Sequence, residues 1–280
     1  MLAGEPATVV MRIKKSILLA LTVAVAVGLA GILGDWGRQP AVTLPSPNGY
    51  DVILAAGSNS QALMVYIDES SKGELSAWVA KNQLVLEQLR RGLSFSCTVP
   101  PAVLAPGNLS QHMGYLALSK QCARLLVAEG TLHELAGHPD LAAQGYVDAI
   151  RLGCAVIHGG RMSDHLNGEG CAALGTAKLK TLKDKLGPKD CRWVAAELAR
   201  SVREVPPAAE TMRREREVYR QHAGLGKYVW ARIQRMIPGS KARRTDTALL
   251  ARINRSQQAL TNLAREFEDR AKEMEEGPAR

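Results

Sequence analysis

The chain has 280 residues, 46% of them hydrophobic but only 4% aromatic, with a formal net charge of +9 and five cysteines. That balance supports a core of aliphatic side chains and excludes both a disordered chain and a disulfide-dense mini-protein. Leu, Ala, Arg and Glu dominate and β-branched alternation is nearly absent, so the expectation is an all-α fold.

Residues 1–15 carry the cations Arg12, Lys14 and Lys15, and Met11 opens a pattern that reads as a second start. Ser16–Gly34 then runs for 19 residues without a charge, its apolar surface supplied by Ile17, Leu18, Leu19, Leu21, Val23, Val25, Val27, Leu29, Ile32 and Leu33. A helix of that length spans roughly 28 Å, close to the ~30 Å hydrocarbon core of a bilayer. The expectation is an uncleaved signal-anchor, a single-pass transmembrane helix over 16–34. The preceding cations would hold the N-terminus in the cytoplasm and leave the bulk exported, periplasmic or otherwise extracytoplasmic. The competing reading is a secretory signal cut after Ala30, because Gly28-Leu29-Ala30 places small residues at −3 and −1. No cysteine precedes Cys97, which excludes a lipoprotein signal.

Residues 35–49 form a linker whose Gln39–Gly49 stretch has three prolines and no charge, the composition of a stiff tether. A helical domain is expected over 50–205. Periodicity starts near Tyr50 and returns over Leu75–Leu89, with capping-box spacing at Ser71 and Glu74. Arg90-Arg91-Gly92 reads as a helix C-terminus. After a proline-rich loop over Val99–Gly107, a helix from Asn108, a turn at Gly137–Asp140 and a helix over Leu141–Ile157 make a hairpin. Gly159-Gly160 breaks the chain before a helix over Ser163–Leu186, which Gly168, Gly170 and Gly175 weaken by up to ~1 kcal/mol each. Gly187-Pro188 restarts it for Asp190–Glu204.

Residues 206–280 form a basic C-terminal region. Pro206-Pro207 opens a helix to about Gln221, and Lys227–Ile237 makes a short amphipathic segment. The last helix, Thr245 to about Met274, carries Ile253, Leu260, Phe267 and Met274 at seven-residue spacing. A coiled-coil seam would use that stripe, but the polar breaks at Ser256 and Arg270 in the Leu249/Leu263 seam favour packing on the chain itself. Between Thr211 and Arg255 twelve basic residues face three acidic ones, which accounts for the whole net charge. Arg213, Arg214, Arg216, Arg220, Lys227, Arg232, Arg235, Arg243 and Arg244 are the expected basic surface, suited to anionic lipid or a wall polymer.

Leu126–Leu152 resembles a single tetratricopeptide unit. Gly130 stands at the small position of its first helix, Gly137 at the turn, and Ala142, Tyr146 and Ala149 at the small-large-small positions of its second. Leu126 stands where the pattern prefers an aromatic and Glu129 where it prefers leucine, and no second copy follows at a period of 34. The resemblance implies one antiparallel hairpin inside a helical domain. The apolar run, Pro47–Asp51, Cys97–Pro100, the hairpin and Arg213–Glu217 together resemble a group of single-anchor helical proteins of bacteria, which implies architecture and location but no activity.

Motifs for chemistry are sparse. His133 and His138 lie five residues apart, about 140° around a helix, and so cannot share a metal as H-E-x-x-H does. His158, His165 and Glu169, with Asp164 between them, make the best candidate cluster, and His165 and Glu169 are i,i+4 neighbours suited to a metal or an acid–base pair. The cysteines form no CxxC pair, which leaves either one or two disulfides or small buried residues. No metal, cofactor or nucleic-acid partner is expected. The functional expectation is a membrane-anchored, exported helical scaffold that binds other envelope proteins. The alternatives are a basic module on anionic lipid or wall polymer, and an enzyme centred on His158–Glu169.

Overall fold

The computed structural model describes residues 22–23, 43–60, 71–105 and 107–276, and among these all regular structure is helical. The first elements are α1 (Gly49–Ser58), α2 (Lys72–Lys81) and α3 (Gln83–Leu93). Ser71 accepts from the Glu74 N–H and the Glu74 carboxylate accepts from the Ser71 N–H, so the capping box opens α2. The single run expected over 75–89 is two helices. Asn82 leaves helical geometry (φ −113°) and its side-chain amide donates to the Trp78 carbonyl, which ends α2 and starts α3.

Gly92 does not terminate α3, which continues to Leu93. A Cβ there would sit 2.8 Å from Ile53 Cγ1, and one at Gly49 would sit 2.5 Å from the Gly92 carbonyl. The pair lets α1 and α3 cross at backbone distance. Asn48 caps α1 and pins the linker's end to the body, donating to the Thr98 carbonyl (2.9 Å) while its Oδ1 accepts from the Thr98 N–H (3.0 Å).

The body is the antiparallel set α4 (Leu109–Leu135), α5 (Pro139–Ala155) and α6 (Met162–Leu182). Helix α5 is central: Ala142, Tyr146, Val147, Ala149, Ile150 and Leu152 are fully buried between its neighbours. On the α6 side the helices touch through glycine. A Cβ on Gly168 would lie 2.4 Å from the Gly153 carbonyl, and one on Gly175 would lie 2.3 Å from the Tyr146 carbonyl. The glycines that weaken α6 as an isolated helix are therefore what brings its backbone onto α5; Gly170, with nothing within 4 Å, has no such role.

Helix α7 (Pro188–Glu204) packs on α5, and α9 (Lys241–Glu276) runs antiparallel along α7. The seven-residue stripe of α9 faces inward, with Ile253, Leu260 and Phe267 buried and Met274 against the core, so it serves intramolecular packing. Helix α8 (Ala208–Met236) is continuous in name only: Gly224, at φ 72° and ψ 162°, breaks its helical geometry.

The transmembrane expectation is corrected. Among the described residues no helix is long and apolar enough to cross a membrane. Length and apolarity never coincide: α4, α8 and α9 have 27, 29 and 36 residues but carry charges along their length, and α1, with its apolar face, has 10. The all-α class stands, and among the described residues no membrane-spanning, single-pass or signal-anchor helix supports the expected anchor. Of the anchor positions only Val23 is described, helical and exposed. Ile17, Leu18, Leu19, Leu21, Val25, Val27, Leu29, Ile32 and Leu33 lie outside the described residues.

Candidate functional site

The tetratricopeptide-like positions are internal. Gly130 meets the Tyr146 ring, which a Cβ there would approach to 2.7 Å, and Gly137 turns the chain at φ 80°. Tyr146 reaches across α4, its hydroxyl donating to Glu134 (2.8 Å). Ala142 and Ala149 are fully buried. Neighbouring helices of the same chain cover the hairpin, so its residues act in packing.

Glu129, one of the two departures from the pattern, sits in a charged network. Arg90 on α3 donates through both terminal nitrogens to Glu129 and through Nε to Asp148 on α5 (3.1 Å). Arg151 joins Asp148 (3.3 Å) to the Leu93 carbonyl (3.1 Å). Burial raises the Asp148 carboxyl pKa above its usual value against the pull of Arg90 and Arg151. This network ties three helices together and exposes no open coordination, so its role is structural.

The three candidate chemical residues line two different clefts. His158 borders a polar cleft of about 620 Å³ with Cys97, Arg151, Arg200 and Glu204. Burial depresses its pKa, despite the opposing influence of Glu204 and Glu210. His165 and Glu169 instead belong to the wall of an apolar cavity of about 140 Å³ between α5, α6 and α9. His165 Nδ1 is 3.3 Å from the Thr211 hydroxyl, and its Nε2 is 3.7 Å from Glu169 Oε1. Burial depresses the His165 pKa as well, with Glu169 opposing. Glu169 Oε2 accepts from Arg252 (3.1 Å), while Oε1 is buried without a hydrogen-bond partner.

Asp164 stands apart from both clefts. It caps α6 by accepting from the Arg161 N–H (3.0 Å) and faces His112, whose Nε2 lies 3.4 Å from both Asp164 Oδ2 and the Ser163 hydroxyl. A serine–histidine–aspartate relay needs the serine and the acid on opposite ring nitrogens. Here one nitrogen faces both and Nδ1 has no partner, so the trio is not a nucleophile system. His112 was invisible to sequence reading, because nothing local marks a histidine on α4 as the partner of an acid 52 positions away.

All five cysteines are free thiols. Burial pushes Cys97, Cys122, Cys154 and Cys171 up to about 12, so they stay protonated and inert at neutral pH. No group of three or more potential metal ligands occurs among the described residues.

The expected basic surface divides in two. On the first half of α8, Arg213 and Arg214 pair with Glu217, Arg216 reaches Asp246 on α9, and Arg220 is buried. Beyond Gly224 the segment changes character. Trp230, Ile233, Met236 and Ile237 are 64%, 41%, 67% and 45% exposed. Arg235 pairs with Asp246 (3.1 Å) and Arg232 donates to the Tyr228 hydroxyl (3.3 Å). Lys227, Lys241, Arg243 and Arg244 are exposed, with no carboxylate in ion-pair range among the described residues. Apolar side chains and free cations thus share the tip where α8 turns into α9.

No known protein family matches the chain, and no curated protein or solved structure matches it.

Proposed function

We propose that the protein is a helical surface-binding module that docks on anionic phospholipid through the α8–α9 tip. The carrying observation is the exposure of Trp230, Ile233, Met236 and Ile237 among unpaired cations. Trp230, Ile233 and Met236 recur at i, i+3 and i+6 on α8, which gathers them on one side, and Ile237 follows at the helix C-cap. A wall polymer would satisfy the cations but leave the four side chains in water. A bilayer interface accepts both: the apolar groups enter the headgroup boundary and the cations meet phosphate. Each Lys or Arg near such a surface contributes about 1 kcal/mol. The reading requires no helix that crosses the bilayer.

The test is sedimentation of the full chain with vesicles of phosphatidylcholine alone or with added phosphatidylglycerol. Binding is expected to need the anionic lipid and to weaken with salt, since exposed charges are screened over ~10 Å at 0.1 M. Replacing Lys241, Arg243 and Arg244 by Gln together should weaken binding about 100-fold. Trp230→Ser with Met236→Ser should weaken it at unchanged salt dependence. Equal binding to both vesicles, or indifference to both sets of substitutions, defeats the reading.

A further inference from the structure

The region where α8 turns into α9 holds a single acid among many cations. From Val218 to Arg265 the chain has ten arginines and lysines and one carboxylate, Asp246. The Asp246 side chain is 17% exposed and takes two arginines, Arg235 through Nε at 3.1 Å and Arg216 at 3.8 Å. The two arginines come from opposite sides of the break at Gly224. One carboxylate on α9 therefore spans the interruption in α8.

Two pivots flank the segment held in this way. Gly224 and Gly239 both have φ 72°, and a Cβ at either would meet nothing within 4 Å. Neither glycine is wedged against another element, so the backbone can turn at both without disturbing packing. Between them Tyr228 is buried and Arg235 reaches Asp246. Both arginines stay close to solvent, Arg216 being half exposed and Arg235 partly so. An ion pair this open to water is weakly held. Each cation brought to an anionic surface, by contrast, strengthens binding about fivefold.

Resting on the lipid-docking reading above, we propose that Asp246 is an internal competitor for lipid phosphate. In solution it occupies Arg216 and Arg235 and keeps the segment between the two glycines on α9. At an anionic bilayer, phosphate replaces the carboxylate on both arginines. The segment then turns about Gly224 and Gly239, and Trp230, Ile233 and Met236 seat in the headgroup boundary. The acid sets the surface charge that the bilayer must present before the tip engages fully.

Two measurements on the full chain separate the competitor from the docking. Without vesicles, trypsin cuts after Lys227 and Arg232 when their segment opens, and mass spectrometry follows both cuts. Asp246→Asn should raise that rate about fivefold, and Asp246→Glu should restore most of the protection. With vesicles containing phosphatidylglycerol, Asp246→Asn should tighten binding about tenfold. Asp269→Asn, the same charge change about 35 Å further along α9, should leave affinity within about twofold. In an Arg216→Gln, Arg235→Gln background the gain from Asp246→Asn should shrink to about twofold, because the carboxylate then has no cation to withhold. Cleavage unchanged by Asp246→Asn, or a gain of equal size in that background, overturns the competitor role while leaving the docking reading in place. Absence of vesicle binding by both the wild-type chain and Asp246→Asn defeats the docking reading, and the competitor role with it, even where cleavage responds.

Discussion

At the scale of single residues, Arg90 decides how α3 holds the hairpin. Removing a partner from a buried ion network leaves a charge without compensation, at a cost of about 3–5 kcal/mol, whereas replacing charges by apolar groups of similar volume is often neutral. Arg90 is partly exposed, so its loss should cost less, about 2–3 kcal/mol. Arg90→Met is expected to lower stability by that amount in urea denaturation. The double variant Arg90→Met with Glu129→Leu should recover most of it, because Asp148 keeps Arg151. Glu129 was visible in the sequence as an exception to the hairpin pattern. Its reason was not, because Arg90 lies 39 residues away.

At the scale of elements, glycine position separates two outcomes that helix propensity alone makes equal. Gly170→Ala meets open space and should stabilise α6 by up to about 1 kcal/mol. Gly168→Ala drives a methyl group into the Gly153 carbonyl and Ile157 and should destabilise by about 1–3 kcal/mol despite the same propensity gain. Opposite signs in paired thermal melts are the expected result; equal shifts would mean that the α5–α6 contact yields easily. The sequence made the helices legible because amphipathic periods, caps and Gly-Pro breaks are local signals. The α2–α3 division hid because Asn82 sits inside a continuous apolar pattern, and Gly92 looked like a terminator because its real neighbour, Ile53, is distant in sequence. The candidate cluster was partly legible. His165 and Glu169 stay neighbours because they are four apart on one helix, whereas Gly159-Gly160 turns His158 towards the other cleft.

At the scale of the whole molecule, burial of histidine sets a response to acid. His158 and His165 both have depressed pKa values in the folded state, so the unfolded chain binds protons first as pH falls below about 6.5. Their contribution is therefore intact above that pH and is lost progressively as pH drops through the folded-state values. Unfolding free energy measured from pH 7.5 to 5.5 should decline, and His158→Gln with His165→Gln should flatten the slope. A slope unchanged by the pair would assign the acid response to carboxylates.

The break at Gly224 has a consequence for how the molecule opens. An unbroken helix propagates order along its hydrogen-bond ladder, each turn templating the next. With the ladder interrupted, residues 226–236 form a separate cooperative unit from the half of α8 that carries the buried Met212 and Val218. Backbone amides of the outer unit should exchange with solvent through local opening, at rates uncoupled from global unfolding, while those of the inner half exchange with the core. The glycine thus divides α8 into an inner half tied to the core and an outer half held by Tyr228 and by Arg235 on Asp246.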